Sequence, residues 1–332
     1  MPTVLGSLRR LLLAPSLAEV GFEARGFPVI PTPATRRLEA VPQAVVCGFE
    51  WGIDARSQWE VERKLEMVEP ELRGFAYEGT TMAFTILDAM GFRRGTRARD
   101  LLLGSGQPHI FLTYIGIGFA MARLPRPLWK KIMPDLTGSA YYPTMSWLAV
   151  DGYGFDLAYF HTKRWVAQQQ VPDRYPWDGY PDYFLRAVDQ GIGRALWFMH
   201  GGQVPAVVAA VGRFAEHRQA DLWSGVGLAA TFAGGGTRAD LTRLREAAGQ
   251  YRPELALGSV FAVKARTFAG HLPEHTEVAL AALTGLDTPA AVELADSTEV
   301  PPDAGREVPA YELWRQRIRA SFAPPVADRI AS

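Results

Sequence analysis

The chain has 332 residues, 48% of them hydrophobic, and its 35 acidic residues balance 35 lysines and arginines. A formal net charge of zero excludes the general electrostatic attraction by which basic proteins bind nucleic acid or anionic membranes. The single cysteine, Cys47, cannot form an internal disulfide, so we expect a reducing, cytoplasmic location.

The N-terminal arm begins with a short apolar stretch, LLLAPSLA, which Pro15 interrupts and which Glu19 and Glu23 follow. This pattern favours a short amphipathic helix over an export signal. No apolar run in the sequence reaches the roughly 18 residues that span a bilayer, so we expect no transmembrane segment. Residues 28–43 hold four prolines and are predicted to connect the arm to the body, so that 1–43 form one N-terminal region.

Two helices are predicted at the start of the main body. Apolar residues recur at spacings of three and four across 44–67, and a second helical pattern spans 74–91. Gly91 is expected to end the second helix in a left-handed cap, which glycine adopts without strain.

Two apolar stretches, 115–124 and 224–233, contain glycines two residues apart. Each such glycine weakens a helix by about 1 kcal/mol, but it also lacks the Cβ atom that would hold a second backbone away. We therefore predict two helices that pack very closely on their neighbours. Short strands are expected, if anywhere, near 146–150 and 259–263.

The sequence also repeats itself. IGIGFA at 115–120 returns as SGVGLA at 224–229, and EGTTMA at 78–83 returns as QGIGRA at 190–195. The offset is 109 residues in the first case and 112 in the second. This near-constant offset predicts a mainly α fold in which two duplicated helical halves pack about a pseudo-twofold axis.

The predicted boundaries follow the prolines. The first repeat half spans 44–170, and a linker with three prolines and alternating aromatic residues occupies 171–183. The second half spans 184–286. Residues 287–332 are predicted to form a loop-rich linker and a C-terminal helix that starts near Pro309 and ends in a frayed tail.

Two matches to chemical motifs fail on their context. Residues 225–230 fit the dinucleotide pattern G-x-G-x-x-A, but the preceding FAEHRQADLW is too charged for the buried strand that this motif requires. His271 and His275 follow the order of an inverted zinc-protease motif, but Pro273 between them limits any helix to its first turn. We therefore expect neither a metal nor a redox cofactor.

Several acidic residues lie among aromatic residues and glycines, where an isolated carboxyl has a raised pKa and can act as a general acid. We predict catalytic roles for Glu78, Asp151, Asp156, Asp189 and Arg194. The predicted substrate-binding residues have aromatic or amide side chains near these groups and are Tyr114, Tyr153, Gln190, Trp197, Phe198 and Trp223.

A structural interpretation of the same residues stays open. Asp189 and Asp221 would cap helices by accepting backbone N–H bonds, and Arg194 would pair with either of them. The functional interpretation depends on differences between the halves, where Asp151 aligns with Lys264. If such mismatched residues meet, a buried carboxylate either forms an ion pair or tunes a proton-transfer group.

Three long motifs carry a resemblance to a known family: DGYGF at 151–155, DQGIGRALWF at 189–198 and DLWSGVGLAATFAGG at 221–235. With further matching stretches, the similarity covers most of residues 20–272. The chain resembles the UnbL-like proteins of unknown function, which occur in actinobacterial natural-product gene clusters, notably those that make enediynes. The resemblance implies a role in specialised metabolism on a long unsaturated polyketide-type chain, and it supplies no catalytic residues.

The expected function is therefore a cofactor-free cyclase or isomerase that acts on an apolar polyene, polyketide or isoprenoid chain by acid catalysis. Nine tryptophans, eleven tyrosines and seventeen phenylalanines offer aromatic faces that shape such a chain and stabilise a developing cation. The alternative is a non-catalytic accessory protein that holds a labile polyene or docks on a polyketide synthase or carrier protein. A purely structural subunit is the third interpretation.

Overall fold

The computed structural model describes residues 17–91 and 95–323, which form a mainly α-helical fold without β-strands in these ranges. The predicted frayed tail and most of the N-terminal arm lie outside the described residues. The α-helices within the described residues are α1 (Leu17–Val20), α2 (Pro33–Asp54), α3 (Gln58–Glu66), α4 (Pro70–Met90), α5 (Arg97–Leu103), α6 (Ile110–Arg123), α7 (Trp147–Phe160), α8 (Pro181–Met199), α9 (Val204–Gly212), α10 (Glu216–Phe232), α11 (Arg238–Ala247), α12 (Arg252–Phe268), α13 (Glu274–Thr284), α14 (Thr288–Thr298) and α15 (Ala310–Ala320).

The long helices form a row in chain order. Helix α2 packs on α4, α4 on α6, α6 on α7, α7 on α8, α8 on α10 and α10 on α12. Contacts between α4 and the helices α10 and α12 at the far end of the row curl it around a shared interior. The guanidinium of Arg266 in α12 donates to the carbonyl oxygen of Glu71 in α4 at 2.9 Å, and the Phe75 ring of α4 meets Phe232 of α10 edge-on with centroids 5.5 Å apart.

Glycines bring neighbouring backbones in this row into direct contact. A Cβ atom added to Gly116 of α6 would lie 2.1 Å from the carbonyl oxygen of Glu78, and one added to Gly118 would lie 2.0 Å from that of Ala149. Both distances are well inside van der Waals contact, so no other residue fits here without separating the helices. Helix α6 therefore touches α4 on one side and α7 on the other through two glycines.

The same arrangement recurs on α10. An added Cβ at Gly225 would lie 2.0 Å from the carbonyl oxygen of Gln190 in α8, and one at Gly227 would lie 2.1 Å from that of Leu255 in α12. Helices α7 and α8 carry glycine pairs with equally close neighbours. Glycine pairs in close contact with neighbouring backbones thus occur on α6, α7, α8 and α10, and not on α6 and α10 alone. The duplication into halves about a pseudo-twofold axis stays a prediction.

The C-terminal helix α15 packs on α12 and α14 and adds a buried polar network. The carboxylate of Glu312, which is fully buried, accepts hydrogen bonds from the hydroxyl of Tyr183 at 2.7 Å and from Arg319 at 2.7 Å. Burial alone would raise the pKa of Glu312, but the surrounding guanidiniums lower it to about 2. This network ties α15 to α8.

Several sequence-based expectations need correction. Helix α2 already begins at Pro33, so much of the predicted connecting segment is helical and Pro42 lies inside the helix. Gly91 ends α4 with a φ of −69° rather than in the left-handed region. The stretch from 287 to 309, expected to be loop-rich, contains the helix Thr288–Thr298, which Asp287 caps by accepting from the N–H of Ala290 at 2.9 Å.

The two expected strands are also helical. Residues 147–150 open α7, and 259–263 lie in the middle of α12. Most of these residues are fully buried between helices of the row. A short run of residues that is apolar on every side does not distinguish a buried strand from a buried helix. In this structure both runs are helical and pack against other helices.

In the part of the chain that the structure describes, no single helix has both the length and the apolar composition needed to cross a bilayer. Helices α13 and α14 meet those criteria only as a pair, and they are bent by 69° where they join.

The glycine contacts lead to a stability prediction. Gly116→Ala should lower the free energy of unfolding by about 2 kcal/mol or more, because overpacking a tight interface commonly costs about 1–3 kcal/mol. Gly212→Ala is the matched control, since an added Cβ there meets no atom within 4 Å. Urea unfolding measures both variants. An equal, small effect of the two changes would contradict close backbone contact between α4 and α6.

Candidate functional site

Two small apolar chambers lie inside the curled row. The outer chamber has a volume of about 60 Å³ and lies between α2, α4, α6, α7 and α8. The inner chamber has a volume of about 40 Å³ and is enclosed by α4, α6, α7, α8, α10 and α12. Aromatic rings dominate the outer walls, which include Phe49, Phe119, Phe155, Tyr159, Phe160 and Phe198.

Three side chains line both chambers: Phe75, Glu78 and Arg194. Helix α4 supplies the first two, and α8 supplies the arginine. The charged groups therefore lie where the two chambers adjoin, and the remaining walls are almost entirely apolar.

The glycine contacts fix these charged residues in place. The backbone of Glu78 touches Gly116, and the backbone of Asp151 touches Gly191, where an added Cβ would lie 1.8 Å from the Asp151 carbonyl oxygen. The backbone nitrogen of Arg194 lies 2.7 Å from where Gly225 would place a Cβ. Each charged residue thus stands at a helix crossing, where the backbone has little freedom to move.

Arg194 forms a buried ion pair with Asp151. Its Nε donates to Oδ1 of Asp151 at 2.6 Å, and neither side chain is more than 9% exposed. Burial raises the pKa of Asp151, and the adjacent guanidinium opposes that rise. The guanidinium also lies over the ring of Phe155, 5.1 Å from its centroid. The pair is held by a charge-assisted hydrogen bond and by an aromatic face.

Glu78 has no such partner. The residue is only 3% exposed, and its carboxyl accepts no hydrogen bond from any described residue. Burial raises its pKa to about 8, with Arg194 opposing the rise and Asp151 adding to it. Because Arg194, the cation that opposes the rise in the pKa of Glu78, already pairs with Asp151, Glu78 is mostly a neutral carboxylic acid at neutral pH. An acid of this kind can donate a proton into either chamber.

A second ion pair lies toward the surface side of the outer chamber. Arg123 donates to Oδ1 of Asp156 at 2.8 Å, and Asp156 is buried whereas Arg123 is 18% exposed. Burial raises the pKa of Asp156, and Arg123 opposes the rise. The ring of Phe160 lies near two cations, with Arg25 at 5.2 Å and Arg123 at 5.0 Å from its centroid.

The aromatic walls are in mutual contact. Phe155 stacks on Tyr159 with centroids 5.5 Å apart and meets Phe198 edge-on at 5.6 Å. Phe119 packs against Phe155 at 5.8 Å. Aromatic faces attract cations, so the walls can stabilise a positive charge that develops in the outer chamber.

The structure brings five of the predicted site residues together: Glu78, Asp151, Asp156, Arg194 and Phe198. It places Asp189 elsewhere, in the middle of α8, where Arg218 donates to both carboxylate oxygens at distances from 2.5 to 3.1 Å. Burial raises the pKa of Asp189 to about 6, against the opposing effect of Arg218. Asp189 therefore does not cap a helix, and it does not pair with Arg194.

Asp221 does not cap a helix either, because it lies inside α10. It accepts from Nε of Arg186 at 2.8 Å and from the amide of Gln190 at 2.9 Å. Gln190 thus belongs to the buried network at α15 rather than to the chambers. Lys264 forms its ion pair with Asp296, so the residue that aligns with Asp151 in the second half does not meet it.

The other predicted substrate-binding aromatics do not line the chambers. Trp197 donates its indole N–H to the carbonyl oxygen of Gly234 at 2.8 Å, and Trp223 is buried on α10. Tyr114 is fully buried, its hydroxyl bonds to no described residue, and burial raises its pKa. Tyr153 packs on Trp129 and lines a groove at the surface.

Two residues of the site were missed by the sequence analysis. Phe75 lies three positions before Glu78 on α4, and that spacing places both on one helix face. This spacing could have identified Phe75 as a neighbour of Glu78 from the sequence alone. Arg123 at the end of α6 gave no such signal, because its partner Asp156 lies 33 positions away on α7.

Among the described residues, no group of three or more potential metal ligands is close enough to hold an ion. His271 precedes α13, whereas His275 lies in its first turn and approaches the carbonyl oxygen of Phe232 at 3.2 Å.

Comparison with protein families shows to which family the chain belongs. The family described as "Protein of unknown function (DUF1702)" matches residues 4–322, which is nearly the whole chain. The chain belongs to this family. Searches of curated proteins and of solved structures found no match.

The protonation of Glu78 has a consequence for stability. In the folded protein the pKa of Glu78 is about 8, whereas in the unfolded chain it is near the ordinary value of 4.5. Between these pH values the unfolded state binds fewer protons, so the contribution of Glu78 lowers the free energy of unfolding as pH rises. Each pKa unit corresponds to about 1.4 kcal/mol.

Glu78→Gln removes this titration. Relative to the wild type, the variant should therefore gain stability steadily as pH rises from about 5 to about 8. Urea unfolding at several pH values measures the difference, with the exposed Glu66→Gln as control. Parallel stability curves for wild type and Glu78→Gln would show that Glu78 ionises normally.

Proposed function

We propose that this DUF1702 protein is an acid-catalysed cyclase or isomerase of an apolar, unsaturated chain in specialised metabolism. The observation that carries the proposal is the unpartnered carboxyl of Glu78, buried between two apolar chambers with its pKa raised to about 8. A neutral carboxylic acid in such surroundings is suited to protonating a carbon–carbon double bond.

The proposed reaction starts with proton transfer. Glu78 donates its proton to one carbon of a double bond, which leaves a carboxylate on the enzyme and a carbocation on the substrate. Arg194 lines both chambers and stabilises the carboxylate, while the faces of Phe155 and Tyr159 stabilise the cation. No electron acceptor is needed.

The later steps return the proton. A second double bond of the chain attacks the cation and closes a ring, or the cation simply loses a proton from a neighbouring carbon. In both cases the proton goes back to the carboxylate of Glu78, which restores the acid. The product is an isomer of the substrate, so no atom is gained or lost.

The shape of the chambers limits the substrate. Volumes of about 60 and 40 Å³ are small beside the roughly 300–1,000 Å³ of ligand pockets, so a chain enters only if side chains of the walls move aside. The walls are mostly side chains such as Phe119 and Met82, whose rotation would widen the path as a longer chain enters. The apolar lining excludes water, which would otherwise capture the cation.

The resemblance to UnbL-like proteins of enediyne clusters supports a polyketide-derived polyene as the substrate class. Protonation of a double bond applies equally to an isoprenoid chain, so isoprenoid probes can represent either class in a test of the acid chemistry. A polyketide synthase or its carrier protein is the proposed source of a polyene substrate, and a cytoplasmic location is part of the proposal.

The apolar lining of the chambers also favours a second candidate, a non-catalytic protein that shields a labile polyene. Such a protein needs the aromatic walls but not the acid. Binding with no turnover, unchanged in Glu78→Gln, supports this candidate against the enzyme.

The enzyme is tested by incubating the protein in D₂O with β-farnesene, farnesol and farnesyl phosphate and analysing products by mass spectrometry. Wild type should form an isomer that carries one added deuterium, because the carboxyl of Glu78 exchanges with solvent before it protonates carbon. Glu78→Gln should lose at least about 100-fold in rate, the usual contribution of a general acid. Glu66→Gln should leave the rate unchanged.

The pH profile gives an independent check. The rate should stay level below pH about 8 and fall about tenfold for each further pH unit, because only protonated Glu78 is active. A product without deuterium, or full activity in Glu78→Gln, would contradict the proposed role of the acid.

A further inference from the structure

The surface outside the outer chamber carries a cationic groove. It has a volume of about 490 Å³, and the described residues that line it are Arg25, Phe160, His161, Thr162, Lys163 and Arg164. None of these residues is acidic. His161 and Arg164 also line an adjoining groove of about 410 Å³, which contains Arg126 and the single acid Asp173.

The positive charge of this groove is only partly offset by carboxylates, because Arg25 acts at longer range on the buried Asp156 and opposes the rise in its pKa. In the described ranges, none of Arg25, Lys163 and Arg164 forms an ion pair. Arg25 donates to the backbone carbonyl of Phe160 at 2.6 Å, and Arg164 donates to the side-chain oxygen of Gln170 at 2.6 Å. These hydrogen bonds to neutral groups fix the directions of the two guanidiniums and leave their charges free to attract an anion.

Phe160 connects the groove to the chamber. The residue lines both, and it is only partly buried. Its ring lies near Arg25 and Arg123, and Arg123 lines the outer chamber. An amphiphilic molecule with its anionic head in the groove would therefore have the Phe160 side chain between that head and the apolar space leading to Glu78.

We infer that the groove binds a phosphate ester head group whose apolar chain extends past Phe160 into the outer chamber. The guanidiniums of Arg25 and Arg164 and the ammonium of Lys163 carry three positive charges. This charge matches a phosphate dianion better than a singly charged carboxylate. Guanidinium groups bind phosphate oxygens through paired N–H donors. The inference rests on the proposed function for the direction of the chain and names the substrate class of the same site.

Binding is measured by tryptophan fluorescence, because the guanidinium of Arg164 lies 4.5 Å from the ring centroid of Trp165. The probes are farnesyl phosphate and farnesol, which share a chain and differ in the head. Glu78→Gln is used as the background, so that binding is observed without turnover. Farnesyl phosphate should bind at least about tenfold more tightly than farnesol, equivalent to about 1.4 kcal/mol.

The double variant Lys163→Gln, Arg164→Gln should bring the affinity for farnesyl phosphate down to that for farnesol and leave farnesol binding unchanged. Lys130→Gln, Lys131→Gln is the matched control, because it removes the same charge from exposed residues outside both grooves. The control should retain the preference for the phosphate. Equal binding of both probes, or equal loss in the control, would overturn the inference.

Two further measurements test where the phosphate lies in the ligand and distinguish failure of the head-group site from failure of the proposed enzyme. Palmitoyl-CoA should displace farnesyl phosphate poorly, because a long polar pantetheine arm separates its phosphates from its acyl chain. Displacement by palmitoyl-CoA as strong as that by unlabelled farnesyl phosphate would contradict a phosphate held directly beside the chamber. Groove-dependent binding without turnover by wild type contradicts the proposed enzyme and leaves the head-group site standing. Turnover of farnesol as fast as farnesyl phosphate, with no binding preference, contradicts the head-group site and leaves the enzyme standing.

Discussion

Direct backbone contact between neighbouring helices is the constraint on which this structure depends. Glycines at the crossings let α4, α6, α7, α8, α10 and α12 approach until a Cβ atom would clash with the carbonyl of the next helix. Glu78, Asp151 and Arg194 each take part in one of these contacts. The charged centre therefore sits at crossings where helix backbones are in direct contact, while the chamber walls between crossings are formed by side chains.

The charges at this centre explain how a carboxyl can stay neutral. Two carboxyl groups share one guanidinium, and the Nε of Arg194 already donates to Asp151. A second negative charge on Glu78 would be desolvated and poorly compensated by Arg194. Glu78 therefore keeps its proton until the pH approaches its pKa of about 8. The contact of the Glu78 backbone with Gly116 holds the residue in this buried position, so two acids face one guanidinium.

Part of this arrangement could be predicted from the sequence. Glycines two residues apart in apolar stretches predicted close helix contacts, and Glu78, Asp151 and Arg194 stood out as polar residues in apolar surroundings. Their pairing could not be predicted, because it depends on how three helices rotate about their axes. Asp189 shows the difficulty: it lies five residues before Arg194 on α8, which places it on another face, toward Arg218.

Infrared difference spectroscopy tests the central claim most directly, because the C=O stretch of a neutral carboxylic acid is distinct from carboxylate bands. At neutral pH, the wild type minus Glu78→Gln spectrum should show the band of a protonated acid, and that band should fade as pH rises through about 8. Carboxylate bands in the same difference spectrum at neutral pH would show that Glu78 is ionised between the chambers, contrary to this account.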